Sequence, residues 1–175
     1  MKAGLVLAFL VVSGGIALAD DPAPVFSADG YANIKIGMTP DQLERAVRQK
    51  LTFNPFANHG CSLFTTPQME LVGLSFVVDR KILVRINVDY FSASSKPRSI
   101  KTAAGVGLGS SEEELLSAYG SAAVVKPNPG DPSWHTVTIE SPDHSNGLIF
   151  ETDGKKVTSM RAGSYPAITL INGCP

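Results

Sequence analysis

The chain carries one signal twice. Ile36-Gly37-Met38-Thr39-Pro40-Asp41-Gln42-Leu43 is echoed by Leu108-Gly109-Ser110-Ser111-Glu112-Glu113-Glu114-Leu115, 72 positions later. Gly73-Leu74-Ser75-Phe76-Val77-Val78-Asp79 is echoed by Gly147-Leu148-Ile149-Phe150-Glu151-Thr152-Asp153, 74 positions later. Two matches in the same order and at nearly the same offset point to a duplicated helix-plus-hairpin unit. Such a repeat constrains architecture strongly and function weakly, and it names no ligand.

Each copy opens on a helix start. Thr39 is an N-cap candidate, Pro40 sits at the first helical position, and Gln42 completes a Thr-x-x-Gln capping box. Leu43, Ala46, Val47 and Leu51 fall on one face, opposite Glu44, Arg45 and Arg48, so the helix is expected to end near Leu51. Pro, Asn and Gly then predict a loop over 52–60. In the second copy Ser111 and Glu114 repeat the box, and Leu115, Ala118 and Tyr119 form the apolar stripe. Glu112, Glu113 and Glu114 suit the positive end of the helix dipole, and Gly120 is the stop.

Strands follow in both copies. Alternation predicts them over 61–66, 72–79 and 82–90, then 122–126, 135–141, 148–152, 157–163 and a short run at 168–171. Asp79-Arg80-Lys81 and Asp153-Gly154 are hairpin links. Leu74, Phe76, Val78, Val137 and Ile139 are expected to face inward. Val77, Leu83, Arg85, Asn87, Thr136, Thr138, Glu140, Ile149, Glu151 and Met160 are expected on the outer face, with Met160 matched to Arg85 by the repeat. The expected fold is α+β: two tandem helix-plus-antiparallel-sheet repeats forming one curved sheet with helices on one face. Residues 20–30 read as a flexible N-terminal segment, 31–98 as repeat one with a linker at 92–98, and 99–175 as repeat two of a single fused domain.

Residues 1–19 read as a signal peptide. Lys2 is followed by an apolar run over 5–12 and by Ala17-Leu18-Ala19 at the cleavage position. That run is shorter than the roughly 20 residues a membrane span needs. The expected product is periplasmic or secreted, with no membrane insertion after cleavage. Removing Lys2 leaves 14 of the 15 basic residues against 16 acidic ones, so a nucleic-acid partner lacks its positive footprint. Cys61 and Cys174 are expected to pair in an oxidising compartment, with two separate buried thiols as the alternative. Such a bond is a structural staple; a redox centre calls for a close Cys-x-x-Cys pair.

The repeated helix start, the Tyr119-Gly120 ending and the Phe-x-x-Asp hairpins resemble the β-lactamase inhibitor protein fold. They are also similar to a one-repeat relative, the small lipoprotein of the outer-membrane barrel assembly machinery. The resemblance covers roughly residues 31–165. It implies a concave sheet face able to grip a protein surface, as in an inhibitor or an envelope-assembly factor. The chain departs from the inhibitor, which has a disulfide within each repeat, and from the lipoprotein, since no lipobox is present. The ending over 165–174 also looks like that of uncharacterised secreted bacterial proteins, some labelled lectins.

Catalytic chemistry has no visible seat. His59, His135 and His144 show no zinc-ligand spacing, and neither a Gly-x-Ser-x-Gly elbow nor a phosphate loop is present. Residues 104–109 lack the glycine spacing of a dinucleotide loop and read as the turn into the second helix. No catalytic residue, cofactor or metal site is therefore assigned, and the chain reads as a non-enzymatic binding module. The partner-binding candidates are Arg85, Trp134, Tyr90, Glu151 and Met160. A protein partner docked on an open sheet face is the leading expectation, though the C-terminal tail or the linker is equally able to cover that face. A carbohydrate or small ligand stacked on Trp134, Tyr90 or Tyr165 is the alternative.

Overall fold

Hairpins dominate the protein, a computed structural model that describes residues 23–58, 60–89, 100–170 and 173–174, with backbone alone at 53–58. The expected signal peptide, His59, Tyr90 and the 92–98 linker lie outside the described residues. The class is mixed α+β and mostly sheet. Strands β1 (Val25–Ser27), β2 (Gly30–Tyr31) and β3 (Ile34–Lys35) precede helix α1 (Pro40–Val47). Then come β4 (Thr52–Asn58), β5 (Cys61–Thr65), the short helix α2 (Pro67–Leu71), β6 (Leu74–Asp79) and β7 (Ile82–Asp89). Strand β8 (Lys101–Thr102) leads to α3 (Glu112–Tyr119), and β9 (Val124–Pro127), β10 (His135–Glu140), β11 (Asn146–Thr152) and β12 (Val157–Ser164) complete the order.

The small sheet runs β3-β2-β1-β8 and the large one β4-β5-β6-β7-β12-β11-β10-β9. At the centre of the large sheet β7 pairs antiparallel with β12, Val88 opposite Met160, Asn87 opposite Arg161 and Ile86 opposite Ala162. The hairpin β6–β7 pairs Leu74 with Val88 and Phe76 with Ile86, then passes from Val77–Arg85 to Val78–Leu83 and skips Val84. The hairpin β11–β12 pairs Leu148 with Ala162 and Phe150 with Met160, then passes from Glu151–Ser159 to Thr152–Val157 and skips Thr158. Each hairpin thus contains a bulge next to its turn. In a bulge two residues oppose one, so the side-chain alternation changes phase.

Both helix starts form as local chemistry dictates. The Thr39 N–H donates to Gln42 Oε1 at 2.8 Å, and the Gln42 N–H donates to Thr39 Oγ1 at 3.4 Å. The Ser111 N–H donates to Glu114 Oε2 at 2.8 Å, and the Glu114 N–H to Ser111 Oγ at 3.1 Å. Each helix start is also fixed to the sheet. Gly37 N–H donates to Leu83 O and Leu83 N–H to Met38 O; Gly109 N–H donates to Val157 O and Val157 N–H to Ser110 O. Leu43 and Val47 of α1 and Leu115 of α3 share one core with Leu74, Phe76, Leu83, Phe150 and Met160, closed by Phe26 and Ile34 of the small sheet. Tyr119 packs on Phe150 with ring centroids 5.8 Å apart.

Five expectations need correction. Helix α1 stops at Val47, not near Leu51, because Arg48 is left-handed and Glu44 takes the Leu51 N–H at 3.1 Å and the Lys50 ammonium at 2.6 Å. Residues 52–58 form an edge strand rather than a loop, and an edge is where a strand tolerates Pro55. The N-terminal segment is no loose tether, since Phe26 is fully buried in β1. Thr66, expected to end a strand, instead caps the short helix α2, with Pro67 in its first turn. The expected final strand at 168–171 is a single 3-10 turn, Ala167–Thr169.

Among the described residues no helix is long and apolar enough to cross a membrane. Cys61 and Cys174 are joined, 113 positions apart, with Cα atoms 5.7 Å apart. Truncating either cap, Thr39→Ala or Ser111→Ala, is expected to cost about 1 kcal/mol of unfolding free energy in urea titration.

Candidate functional site

The side chains that point away from the helix-bearing core define the candidate site. Registers place Ser75, Val77, Arg85, Asn87, Arg161, Ile149, Glu151, Thr136 and Thr138 on this second face. A polar row crosses it. Asn87 Nδ2 donates to Ser75 Oγ at 3.0 Å, and Arg85 Nε donates to Asn87 Oδ1. Arg161 Nη2 lies 2.8 Å from Glu151 Oε1, while Thr136 Oγ1 donates to Glu151 Oε2 at 2.7 Å. One carboxylate therefore serves a guanidinium and a hydroxyl on the two strands flanking β11. Its ion pair is mostly buried, with the Arg161 and Glu151 side chains 16% and 20% exposed.

The end of this face nearest Cys61 is covered by the chain's own C-terminal segment. Tyr165 lies over Gly147, where a Cβ would come within 3.0 Å of the phenol oxygen. Arg161 Nε donates to Ile168 O at 2.8 Å, and Arg85 Nη1 donates to Leu170 O. Gly173 rests on Val77 and Arg85, and Cys174 is bonded to Cys61. The segment thus crosses β11, β12, β7, β6 and β5 in turn. Val77 on β6 and Ile149 on β11 are buried on this face outside the main core, as are Ala167 and Ile168 of this strap itself.

The expected site residues divide. Arg85 is on the second face but only 7% exposed, beneath the strap, so it is not a contact for a partner in this arrangement. Desolvation and the neighbouring Arg161 charge pull its pKa down to about 10, which leaves it charged at neutral pH. Met160 is corrected outright. It pairs with Phe150 and Val88 and sits in the core, because the repeat matches it to Ile86 rather than Arg85. Leu83 is likewise in the core, not on the outer face, since the bulge at Val84 reverses the alternation between it and Arg85. Glu151 is at the centre of the polar row, and Tyr90 lies outside the described residues. Trp134 is 43% exposed. It stands in the turn before β10, two residues before Thr136, its N–H donating to Asp131 O at 3.0 Å and its carbonyl accepting the Asn128 N–H at 2.8 Å.

Sequence reasoning passed over two groups of residues. Arg161 is opposite Asn87 and was legible only with the correct register. The other group lies near α3, where His135 Nδ1 is 2.9 Å from the Glu112 carboxylate and the Thr152 hydroxyl donates to the same carboxylate. The hydroxyl bonds the carboxylate and not the imidazole, so this trio lacks the nucleophile–base contact of a catalytic triad. A shallow cleft of about 1060 Å³ borders α3 between Lys101, Gly105, Ser111, Glu114, Ser117 and Lys156. Its lining includes both signs of charge and no convergent reactive set. Among the described residues no group of three His, Cys, Asp or Glu side chains is placed to hold a metal.

No family model matches the chain, and no curated protein does. A solved structure similar to it is an extracellular protein containing a SCP domain from Bacillus anthracis str. Ames. Identity is 11% and the TM-score 0.51, over 89% of this chain and 50% of that one. The chain therefore spans about half the length of that protein, and the likeness speaks to the fold alone.

Glu151→Gln keeps the shape of the row and leaves the Arg161 guanidinium without its counter-charge. The variant is expected to lose about 1–3 kcal/mol of stability in chemical denaturation. Glu140→Gln, at a far more exposed carboxylate, is expected to stay within about 0.5 kcal/mol of wild type in the same assay.

Proposed function

We propose that the protein is an exported, non-enzymatic binding module that docks a protein partner on the half of its second sheet face that the strap does not reach. The observation that carries this reading is Trp134, 43% exposed and two residues along the chain from Thr136 of the Thr136–Glu151–Arg161 row. An amphipathic indole beside satisfied, preorganised polar groups is the composition of a binding hot spot. Export is supported by the leader-like residues 1–19 and by the Cys61–Cys174 bond.

The reading includes an origin by duplication, with both long helices on the core face, as in the β-lactamase inhibitor protein fold that the sequence resembles. Its support is the register. Leu74, Phe76, Val78, Leu83, Ile86 and Val88 correspond to Leu148, Phe150, Thr152, Val157, Met160 and Ala162, each 74 positions on, with the skipped residues Val84 and Thr158 at the same spacing. Asn87 and Arg161, also 74 apart, face each other across the β7–β12 junction, where a pseudo-two-fold axis would pass.

A second reading, carbohydrate binding, is favoured by the same exposed indole, because an exposed aromatic face is a stacking surface for a sugar ring. The two are separated by probe. Affinity capture from the native envelope or secreted fraction, analysed by mass spectrometry, is expected to retain a protein with wild type and to lose it with Trp134→Ala, whose thermal midpoint stays near that of wild type. Equal recovery with both would sink the docking proposal. A glycan array bound by wild type and not by Trp134→Ala would install the second reading instead.

A further inference from the structure

We infer that the strap is the resident occupant of a polypeptide-binding groove, held there by the Cys61–Cys174 bond, and that opening the bond frees the groove for a turn-forming segment of the same chemistry. This goes beyond the proposed docking face, which is the other half of the sheet surface, and does not depend on it.

The strap behaves as a ligand rather than as part of the sheet. Apart from Tyr165, whose N–H donates to Ser145 O at 3.1 Å, its described backbone bonds are internal, Thr169 N–H to Pro166 O at 3.0 Å and Gly173 N–H to Leu170 O at 3.1 Å, and its described residues add no strand to the sheet. It offers the sheet main-chain carbonyls, which Arg161 and Arg85 receive at Ile168 and Leu170, with Ala167 O at 3.5 Å from Arg85 Nη1. Carbonyl recognition is indifferent to sequence, so selectivity falls to the apolar floor. That floor is where Ile168, fully buried, packs against β7, β12 and β11, with Ile149 buried on β11, while Gly147 and Gly173 clear room at either end for Tyr165 and for Val77 and Arg85. The fitting partner is therefore an uncharged segment that forms a tight turn around a β-branched aliphatic residue and leaves main-chain carbonyls free for the two guanidinium groups.

The two sulfurs differ in access. Cys61 is 2% exposed and Cys174 half-buried, so a thiolate reaches Cys174 first. One thiolate of a dithiol reductant attacks Cys174 Sγ, the S–S bond breaks, and Cys61 leaves as a thiolate that takes up a proton. The second thiol of the reductant then resolves the mixed disulfide, freeing the Cys174 thiol. The reductant ends as a disulfide, having supplied two electrons and two protons.

The test uses the full mature chain. Hydrogen exchange of the reduced protein is expected to show Thr169 and Gly173 amides exchanging at least tenfold faster than in the oxidised protein, with Phe76 and Phe150 amides unchanged. Unchanged strap protection, or loss of protection at Phe76 and Phe150, would overturn the inference. The probe for occupancy is a labelled synthetic peptide, Tyr-Pro-Ala-Ile-Thr-Leu-Ile-Asn-Gly-Ser. By fluorescence anisotropy it is expected to bind the full chain carrying C174S and I168D at least tenfold more tightly than oxidised wild type. The same peptide with Asp in place of its first Ile is expected to lose that binding. Equal affinity for both proteins, or for both peptides, would refute the groove.

Discussion

The pairing of β7 with β12 positions everything on either side of the large sheet, because it brings two groups of four strands edge to edge. Strands at the middle of an eight-stranded sheet are far from any edge, and both their faces need cover where they are apolar. The core face is covered by α1, α3 and the small sheet around Phe76 and Phe150. The second face has two buried apolar side chains, Val77 on β6 and Ile149 on β11, and among the described residues the C-terminal strap covers them.

Magnitudes show how that cover is held. Fixing a backbone costs about 1–2 kcal/mol per residue, or about 10–20 kcal/mol for a strap of roughly ten residues. Burying the Val77, Ile149 and Ile168 side chains returns about 1.5–3 kcal/mol each. The charge-assisted bonds from Arg85 and Arg161 add about 1.5–3 kcal/mol apiece, which brings the strap near balance. The remainder, about 2.5–3 kcal/mol on the chain-entropy model for tethering a strap of roughly ten residues to the folded body, comes from the disulfide. The bond is thus comparable to the whole margin by which the strap stays seated, while the core face has no such dependence.

Signals that act within one turn of chain were legible in the sequence. Thr39 with Gln42, and Ser111 with Glu114, form their boxes because the partners are three residues apart and need nothing else. The same chemistry at Thr66-Pro67 marks α2 and went unread because it interrupts a β-branched run. The rest depended on distant partners. Phe26 is the one large apolar residue in a Pro- and Asp-rich stretch, and only its place in the core makes that stretch a strand. Strand β4 exists because β5 pairs with it. At the site, period-two alternation placed Arg85 and Glu151 on the correct face but failed for Leu83, one bulge away, and for Met160, where the repeat was aligned one residue off. A bulge leaves no mark in composition.

Under the proposed duplication, the two faces of the sheet have diverged to different degrees, and packing gives the reason. Across the core face the matched positions stay apolar: Leu74 with Leu148, Phe76 with Phe150, Leu83 with Val157, Ile86 with Met160, Val88 with Ala162. The exception is Val78 with Thr152, whose buried hydroxyl is taken up by Glu112. Leu43, Val47 and Leu115 share one core with these positions, so the matched positions face the same apolar demand. On the second face the matches are Ser75 with Ile149, Val77 with Glu151, Arg85 with Ser159 and Asn87 with Arg161. A chain has one C-terminus, so a strap crosses this face once and cannot obey a two-fold axis. Positions beneath it must suit apolar cover or bare carbonyls in one copy, while their counterparts lie beyond its reach. Charge and polarity then part company with the repeat where the symmetry is broken, and that divergence makes the uncovered half of the face chemically distinct from the half under the strap.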